Sequence, residues 1–495
     1  MNKYILAIDQ GTTGSRCFIF DAKGSVVAKS YQEFPQYFPK PGWVEHDANE
    51  IWSSVESVIK KALKQAAIQQ IKPEQIAAIG ITNQRETTVM WDRQTSRPVA
   101  RAIVWQDRRT AQRCAQLKKH VSAVRRRTGL VIDAYFSATK IAWLLDHIPY
   151  LRTNAQKGQI AFGTVDSWLI YRLTGGKSHV TDRTNASRTL LYDIVTKKWS
   201  DQLLKLFNVP PQILPTVLSS GAVFGETVKI AGLPAGIPIR AVMGDQQAAL
   251  YGQGCVTPGT IKNTYGTGCF MILNTGDKLR YSSKGLLTTL ACDRHGESVY
   301  ALEGSVFIAG AVIQWLRDQL KIIPDSKASE KMIEGLKDNG GVYFVPAFVG
   351  LGAPYWDSAA RGMITGLTRG STQRHIIRAS LESMAYQTKD VFDLMRQESG
   401  LKINSLAVDG GACLNNFLMQ FQADMLRVRI KRPGMVDSTV AGAAYLAGYQ
   451  AEIWTTRDLE KMHQIERMFK PQMSGLKVNE LYQGWQQAVN QAKRR

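Results

Sequence analysis

The chain has 495 residues, with 62 Lys and Arg against 41 Asp and Glu, so its formal net charge is +21 at pH 7. Hydrophobic residues make up 44% and charged residues 21%, ordinary proportions for globular proteins, which excludes a wholly disordered chain. A chain of this length is expected to form about two to four domains with large apolar cores.

The sequence also argues against a membrane protein and a nucleic-acid-binding protein. The longest uncharged stretch, residues 339–356, is interrupted by glycine and proline, whereas a spanning helix needs about 20 mostly apolar residues. Basic runs are short and carry no interleaved aromatics, so we predict no nucleic-acid partner and a basic surface that attracts small anions. Scattered cysteines without a CxxC pair, and no signal-peptide core, predict reduced thiols and a cytoplasmic protein.

Along the chain, patterns typical of strands alternate with patterns typical of helices. Asp47 with Glu50 predicts a capping box before the first long helix. The alternation of predicted strands and helices along the chain predicts an α/β fold. Strands are predicted over residues 4–8, 17–20, 25–30, 77–82 and 406–408, and helices over residues 51–63, 306–320, 376–395 and 417–426.

Two strand–loop–strand units with similar polar tips lie half a chain apart. Gly11-Thr12 in the first unit and Gly266-Thr267 in the second occupy matching points, 255 residues apart. A repeat at this offset favours two related domains that meet near residue 253. Tips rich in backbone N–H groups and hydroxyls can hold phosphate oxygens, although a single such tip is more often a plain hairpin turn.

The pair of tips favours a nucleotide site in which each tip grips the phosphates from one side. The sequence has no GxxxxGK[ST] phrase, and no GxGxxG opens a helix after the first strand, which excludes a P-loop and argues against a dinucleotide fold. Asp9, at the end of the first strand, suits a hydrated Mg²⁺ ion, because Mg²⁺ keeps waters and takes one or two carboxylates.

Asp245 follows the apolar strand pattern at residues 241–243. A carboxylate at the C-terminal edge of a strand stands where α/β sheets place their ligands. It suits the base that accepts a proton from a hydroxyl being phosphorylated. The alternative is that Asp245 only caps the next helix, which is the commoner role of a lone Asp in this position.

Arg85 and Glu86 follow the strand predicted over residues 77–82. Adjacent residues on a regular strand point to opposite faces, so both serve one ligand only if the backbone leaves the strand there. A cationic donor beside an anionic acceptor suits the hydroxyls of a polyol, while the alternative is an ordinary surface ion pair. Trp105, Tyr135 and Phe270 could wall a small apolar pocket, or could belong to the core.

Several of these phrases together resemble the glycerol kinases, a branch of the FGGY family of carbohydrate kinases. The likeness runs from about residue 3 to 490 and rests on residues 9–13, 80–88, 244–250, 263–270, 350–357 and 409–412. It implies two related actin/hexokinase-like (ribonuclease H-like) domains with the active site in the cleft between them. Residues 1–252 would bind glycerol and the phosphates, and residues 253–495 would bind adenosine.

The resemblance also implies the reaction: ATP-dependent phosphorylation of glycerol to sn-glycerol 3-phosphate, the first step of glycerol catabolism. The enzyme would be a transferase that uses Mg²⁺ and works as a homodimer or homotetramer. Asp245 would be the catalytic base.

Carried over residue by residue, the resemblance implies three sets of binding residues. Glycerol would contact Thr12, Arg85, Glu86, Trp105, Tyr135, Asp245, Gln246 and Phe270. The nucleotide would contact Thr12, Thr13, Gly14, Arg16, Thr267, Gly310, Gln314, Gly411 and Asn415. Asp9 and Asp245 would hold Mg²⁺.

The chain departs from the family pattern at three positions. Gly14 stands where relatives often carry Ser, and Ala134 and Ala138 replace an expected Pro and Gly.

Two other functions fit parts of the pattern. A kinase of the same family could act on a larger sugar or polyol. An actin- or chaperone-like ATPase could use the same nucleotide site to change shape. The Arg85-Glu86 phrase and Asp245 favour a metabolite kinase over such an ATPase.

Overall fold

The computed structural model describes residues 3–355, 357 and 359–493. The strands are β1 Tyr4–Gln10, β2 Gly14–Phe20, β3 Val26–Glu33, β4 Glu45–His46, β5 Ile76–Asn83, β6 Val89–Asp92, β7 Ala102–Ile103, β8 Ile160–Gly163, β9 Val180–Asp182, β10 Tyr192–Asp193, β11 Lys198–Trp199, β12 Thr216–Leu218, β13 Ile239–Gly244, β14 Ile261–Tyr265, β15 Cys269–Gly276, β16 Leu287–Cys292, β17 Ser298–Val306, β18 Tyr343–Val345, β19 Met363–Thr365, β20 Ser405–Asp409, β21 Arg429–Pro433 and β22 Ile465–Phe469. The helices are α1 Ala48–Ile68, α2 Ala111–Gln116, α3 Val121–Thr128, α4 Ser137–His147, α5 Leu151–Gln156, α6 Val165–Leu173, α7 Arg183–Ala186, α8 Asp201–Phe207, α9 Asp245–Gly252, α10 Gly310–Asp318, α11 Ala328–Met332, α12 Gln373–Ser399, α13 Asn416–Leu426, α14 Ser438–Gln450, α15 Thr456–Met462 and α16 Gly475–Lys493.

Two mixed sheets organise the fold, and one repeats the strand order of the other. The first sheet has the order β13-β5-β1-β2-β3, and the second has the order β16-β17-β15-β14-β20-β21-β22. β1 is parallel to β5 and antiparallel to β2, and β14 is likewise parallel to β20 and antiparallel to β15. The predicted α/β fold with an internal repeat is therefore confirmed. The division of the chain at residue 253 stays a prediction.

Each sheet carries its own apolar core. Helix α1 covers β2 and β3 of the first sheet, and apolar residues at helical spacing along it, among them Ile51, Val55 and Ile59, are buried. Helices α12 and α13 build the core on the second sheet. In the described part of the chain, no helix has both the length and the apolar character needed to cross a bilayer.

Two local predictions need correction. Asp47 does cap α1, accepting a hydrogen bond from the Asn49 amide, but Glu50 does not complete a capping box. Its carboxylate instead accepts a hydrogen bond of 2.8 Å from the Tyr37 hydroxyl. The helix predicted from residue 306 begins only at Gly310, because Val306 still pairs with β15 as the last residue of β17.

Helix α14, from the second half of the sequence, packs directly on the first sheet and on α9. A Cβ atom added at Gly442 would lie 1.9 Å from the carbonyl oxygen of Ala248 on α9. One added at Gly80 on β5 would lie 2.2 Å from a carbonyl oxygen of α14. Backbone therefore meets backbone at both places, which only glycine permits, and the two halves of the chain are joined there.

We expect Gly442→Ala to destabilise the protein by about 2 kcal/mol, because the new methyl group forces α9 and α14 apart. Equilibrium unfolding in urea, followed by circular dichroism, measures the effect. Gly434→Ala is the matched control, because a Cβ atom there meets nothing within 4 Å. Equal stability of the two variants would contradict the tight helix contact.

Candidate active site

Three adjacent parallel strands of the first sheet end at one edge and carry the polar residues singled out in the sequence. Asp9 on β1 pairs with Thr82 on β5, which pairs in turn with Met243 on β13. Because the carboxyl ends of parallel strands meet at the same edge, Asp9, the residues after β5 and Asp245 after β13 come close together. The structure thus brings together three groups that lie far apart in sequence.

The backbone leaves the strand direction after β5, as a shared role for Arg85 and Glu86 requires. β5 ends at Asn83, and Glu86 takes a left-handed conformation with φ of 62°. Both side chains are buried. The Arg85 Nε atom lies 3.2 Å from Asp245 Oδ1 and 3.9 Å from Glu86 Oε1, so the two residues face the same space as the predicted base.

Two further charged residues, Arg188 and Glu303, belong to this cluster and were not predicted. Glu303 on β17 accepts hydrogen bonds from Arg85 Nη1 at 2.6 Å and from Arg188 Nη2 at 2.9 Å. Arg188 Nε also donates to Glu86 Oε1 at 2.6 Å. Burial alone would raise the pKa of Glu303, but the two guanidinium groups outweigh it and lower the pKa to about 2.

A third buried cation, Lys262 on β14, holds the side chain of Gln246. Its Nζ atom donates to Gln246 Oε1 and, at 2.6 Å, to Thr264 Oγ1. Burial lowers the pKa of Lys262 to about 8, although the carboxylates of Asp409 and Asp245 oppose the shift. With its oxygen turned to Lys262, the amide nitrogen of Gln246 lies 3.4 Å from Asp245 Oδ2.

Aromatic side chains wall one side of the cluster. The rings of Trp105 and Tyr135 meet edge to face with centroids 5.5 Å apart, and the Arg188 guanidinium carbon lies 5.7 Å from the Tyr135 ring. Phe270 is half-buried on β15, where it pairs with Thr264 on one side and Ser305 on the other. Trp105 and Tyr135 are thus brought together with the charged cluster.

The β1–β2 tip is a tight turn closed by the Gly11 amide, which donates to the Gly14 carbonyl at 2.9 Å. Thr12 Oγ1 accepts a hydrogen bond of 3.0 Å from Trp105 Nε1, which links the tip to the aromatic wall. A Cβ atom at Gly14 would lie 2.5 Å from the Tyr31 ring and 2.8 Å from the Gln32 carbonyl oxygen, so any side chain there would require Tyr31 to move. Thr13 is exposed at the tip.

Arg16, predicted to contact phosphate, forms an ion pair with Asp437 in the second half of the sequence. The distance from Arg16 Nη1 to Asp437 Oδ1 is 3.0 Å, and both side chains are partly exposed. A carboxylate at the start of α14 therefore already binds this guanidinium group. An anion that binds at the first tip would compete with Asp437 for this guanidinium group.

The β14–β15 tip is also closed by a backbone hydrogen bond, here between residues two apart, and is tied to α10. The Gly266 amide donates to the Gly268 carbonyl at 2.9 Å, and the Gly310 amide donates to the Gly266 carbonyl at 3.0 Å. The Thr267 carbonyl accepts bonds of 2.8 Å and 3.1 Å from the amides of residues 309 and 311. Thr267 and Gly310 are thus neighbours, with Gln314 exposed one turn further along α10.

The turn after β20 lies against this second tip. A Cβ atom at Gly410 would lie 2.3 Å from the Tyr265 carbonyl oxygen, so the turn that contains Gly411 touches the end of β14. Asn415 caps α13, because its Oδ1 atom accepts a hydrogen bond of 2.8 Å from the Leu418 amide. Its amide nitrogen lies 3.5 Å from Ser329 Oγ.

The donor set around Asp9 fits a hydrated divalent cation. Burial raises the pKa of Asp9 to about 6; Arg16 opposes this shift, and the carboxylates of Asp245 and Asp437 add to it. Within the described ranges, no three His, Cys, Asp or Glu side chains gather into a complete ligand cage. The neighbouring carboxylates of Asp9 and Asp245 suit Mg²⁺, which takes its remaining ligands from water and substrate phosphates.

Known proteins resemble this chain over its whole length. The FGGY family of carbohydrate kinases matches with its N-terminal domain over residues 4–252 and with its C-terminal domain over residues 261–451. Glycerol kinase 2 of Thermotoga maritima is 55% identical over 494 residues, and the glycerol kinase of Geobacillus kaustophilus is 54% identical over 495 residues; each alignment covers 99% of both chains. The crystal structure of Plasmodium falciparum glycerol kinase with ADP has a TM-score of 0.93 at 36% identity, covering 100% of this chain and 99% of that one.

We expect Asp9→Asn to be more stable than the wild type at pH 7.5, by about 3 kcal/mol. The raised pKa means that the folded protein holds a proton at Asp9 that the unfolded chain releases, so stability falls as the pH rises from about 4 to about 6. Asn carries no charge and escapes this loss. Urea unfolding of both proteins at pH 7.5 and pH 4 measures the difference, which should be small at pH 4. A wild type more stable than the variant at pH 7.5 would contradict the buried charge.

Proposed function

Because the chain belongs to the FGGY family of carbohydrate kinases, we propose that it transfers the terminal phosphoryl group of ATP to glycerol, giving sn-glycerol 3-phosphate and ADP. The convergence of Asp9, Arg85 with Glu86, and Asp245 at one sheet edge carries this proposal. The full-length likeness to proteins named glycerol kinase supports the choice of acceptor.

Glycerol would lie between the charged cluster and the aromatic wall. Arg85 would donate to its hydroxyls and Glu86 would accept from them, so that neighbouring hydroxyls find both kinds of partner. Gln246, with its amide nitrogen turned away from Lys262, offers a further donor. Trp105 and Tyr135, with Phe270 from the second sheet, would cover the carbon backbone.

ATP would lie across the two hairpin tips. Thr12, Thr13 and Arg16 with the backbone at Gly14 would meet the phosphates on one side and Thr267 on the other, while the adenosine would lie near Gly310, Gln314, Gly411 and Asn415. Arg16 would exchange Asp437 for a phosphate oxygen. Mg²⁺ held by Asp9, Asp245 and water would supply positive charge to the phosphates when bound.

Asp245 would orient the attacking hydroxyl and take its proton late in the transfer. Its Oδ1 atom lies near Arg85 and its Oδ2 atom near Gln246, so the carboxylate is held between two groups assigned to glycerol. The transition state of phosphoryl transfer is loose, so alignment and charge account for most of the rate enhancement. Closure of the two halves over glycerol would exclude water, the competing acceptor.

The proposed function also implies a cellular location and an oligomeric state for the enzyme. The six cysteines are all buried free thiols, which suits the cytoplasm, where ATP is also available. Assembly as a homodimer or homotetramer remains part of the proposal.

A coupled assay of ADP release tests the function. We expect ADP release that depends on glycerol, with xylulose, ribulose and gluconate far poorer acceptors at equal concentration. A larger sugar as the best acceptor would replace glycerol within the same family. ADP release at full rate without any acceptor would favour an ATPase instead.

We expect Asp245→Asn to lower kcat by on the order of 10² or more, because the amide cannot accept the proton, while the glycerol KM changes by less than about tenfold. Steady-state kinetics with the coupled assay measures both constants. Asp277→Asn, an exposed change in the turn after β15, is the matched control and should be indistinguishable from wild type. Near-normal turnover in Asp245→Asn would remove the residue from its role.

A further inference from the structure

Glu303 is a residue of the second sheet whose carboxylate accepts hydrogen bonds from residues of the first half of the chain. It stands on β17, and 1% of its surface is exposed. Its Oε2 atom accepts from Arg85 Nη1 at 2.6 Å, and its Oε1 atom accepts from Arg85 Nη2 at 3.2 Å and from Arg188 Nη2 at 2.9 Å. One carboxylate thus holds two buried guanidinium groups.

These contacts fix the plane of the Arg85 guanidinium group. Both terminal nitrogens are bound to the same carboxylate, a paired geometry that gives orientation as well as attraction. The Nε atom is left facing Asp245 at 3.2 Å. Loss of Glu303 would free the guanidinium group to rotate, and Arg85 and Arg188 would face each other without the carboxylate between them.

The chain of contacts continues to Glu86. Arg188 binds Glu303 through Nη2 and Glu86 Oε1 through Nε, at 2.6 Å, so Glu303 reaches Glu86 through one intermediate residue. Each of the four side chains has at most 3% of its surface exposed. Buried charges need partners of opposite sign, and here two cations alternate with two anions.

We propose that Glu303 is the positioning residue of the acceptor site, orienting Arg85 directly and Glu86 through Arg188. The proposal rests on the proposed function in one respect, the assignment of Arg85 and Glu86 to glycerol. It adds that acceptor recognition by the first half of the chain depends on a residue that the second half supplies.

Glu303→Gln keeps the size of the side chain but replaces one acceptor oxygen with a donor that faces the guanidinium groups. We expect the glycerol Kd, measured by calorimetry without nucleotide, to rise on the order of 10- to 100-fold, the range for a lost hydrogen bond to a charged group. The ATP KM should stay within about twofold, because Glu303 contacts no group assigned to the nucleotide.

Glu382→Gln is the matched control, because Glu382 is equally buried and binds Arg378 at 2.8 Å on α12, among residues with no assigned role. It should lower the melting temperature without changing the glycerol Kd. Glu303→Asp, which keeps the charge on a shorter side chain, should recover part of the affinity.

If Glu303→Gln does not fold, the double variant Glu303→Met with Arg188→Met takes its place in the test. It removes one charge of each sign, so no buried charge loses its partner without compensation. We expect the double variant to bind ATP normally and glycerol at least tenfold more weakly. A wild-type glycerol Kd in either variant, or equal losses for glycerol and ATP, would overturn the positioning role.

Assays of the wild-type protein distinguish a failure of this proposal from a failure of the proposed function. If the wild type phosphorylates glycerol and Glu303→Gln binds it normally, only the positioning role fails. If the wild type prefers another polyol, the assigned acceptor fails, and the same comparison with that polyol decides the role of Glu303.

Discussion

A buried charge needs an opposite charge within contact distance, and this constraint joins the two halves of the protein at the candidate site. Arg85 and Arg188 come from the first half, where Asp245 lies 3.2 Å from Arg85 and Glu86 lies 2.6 Å from Arg188. Glu303 adds a carboxylate from the second sheet that binds both guanidinium groups. Lys262 on β14 of the second sheet also contacts the first half, where it donates a hydrogen bond to the side chain of Gln246. The candidate acceptor site is therefore built by both sheets, although most of the residues assigned to glycerol come from the first half of the chain.

Much of the fold could be predicted from the sequence because its elements are local. Apolar runs set the central strands, and the similar tips at Gly11 and Gly266 revealed a repeat that the strand orders confirm. Strand ends and helix starts were less certain. Glu50 does not complete a capping box, because its carboxylate accepts a hydrogen bond from the hydroxyl of Tyr37, 13 residues earlier in the chain.

The charged partners at the site could not be predicted, because they depend on how the sheets face each other. Arg85 and Glu303 are 218 residues apart, and Arg188 and Glu86 are 102 apart. One signal was present: Glu303 follows the apolar pair Ala301-Leu302 in a strand that becomes buried, and a carboxylate there needs a cationic partner. The sequence cannot say which cation, since only the packing of β17 against the first half decides it.

The backbone contacts between α9 and α14 set the position of Asp245 relative to the second half of the chain. A Cβ atom at Gly252, the last residue of α9, would lie 2.1 Å from the Ser438 carbonyl oxygen, and one at Gly442 would lie 1.9 Å from the Ala248 carbonyl oxygen. The two helices therefore touch at two points about one turn apart, which fixes the direction of α9 against α14. Asp245 is the first residue of α9, about 4.5 Å along the helix axis from the nearer contact. A candidate base on the helix that joins the two halves thus has a defined position relative to both of them.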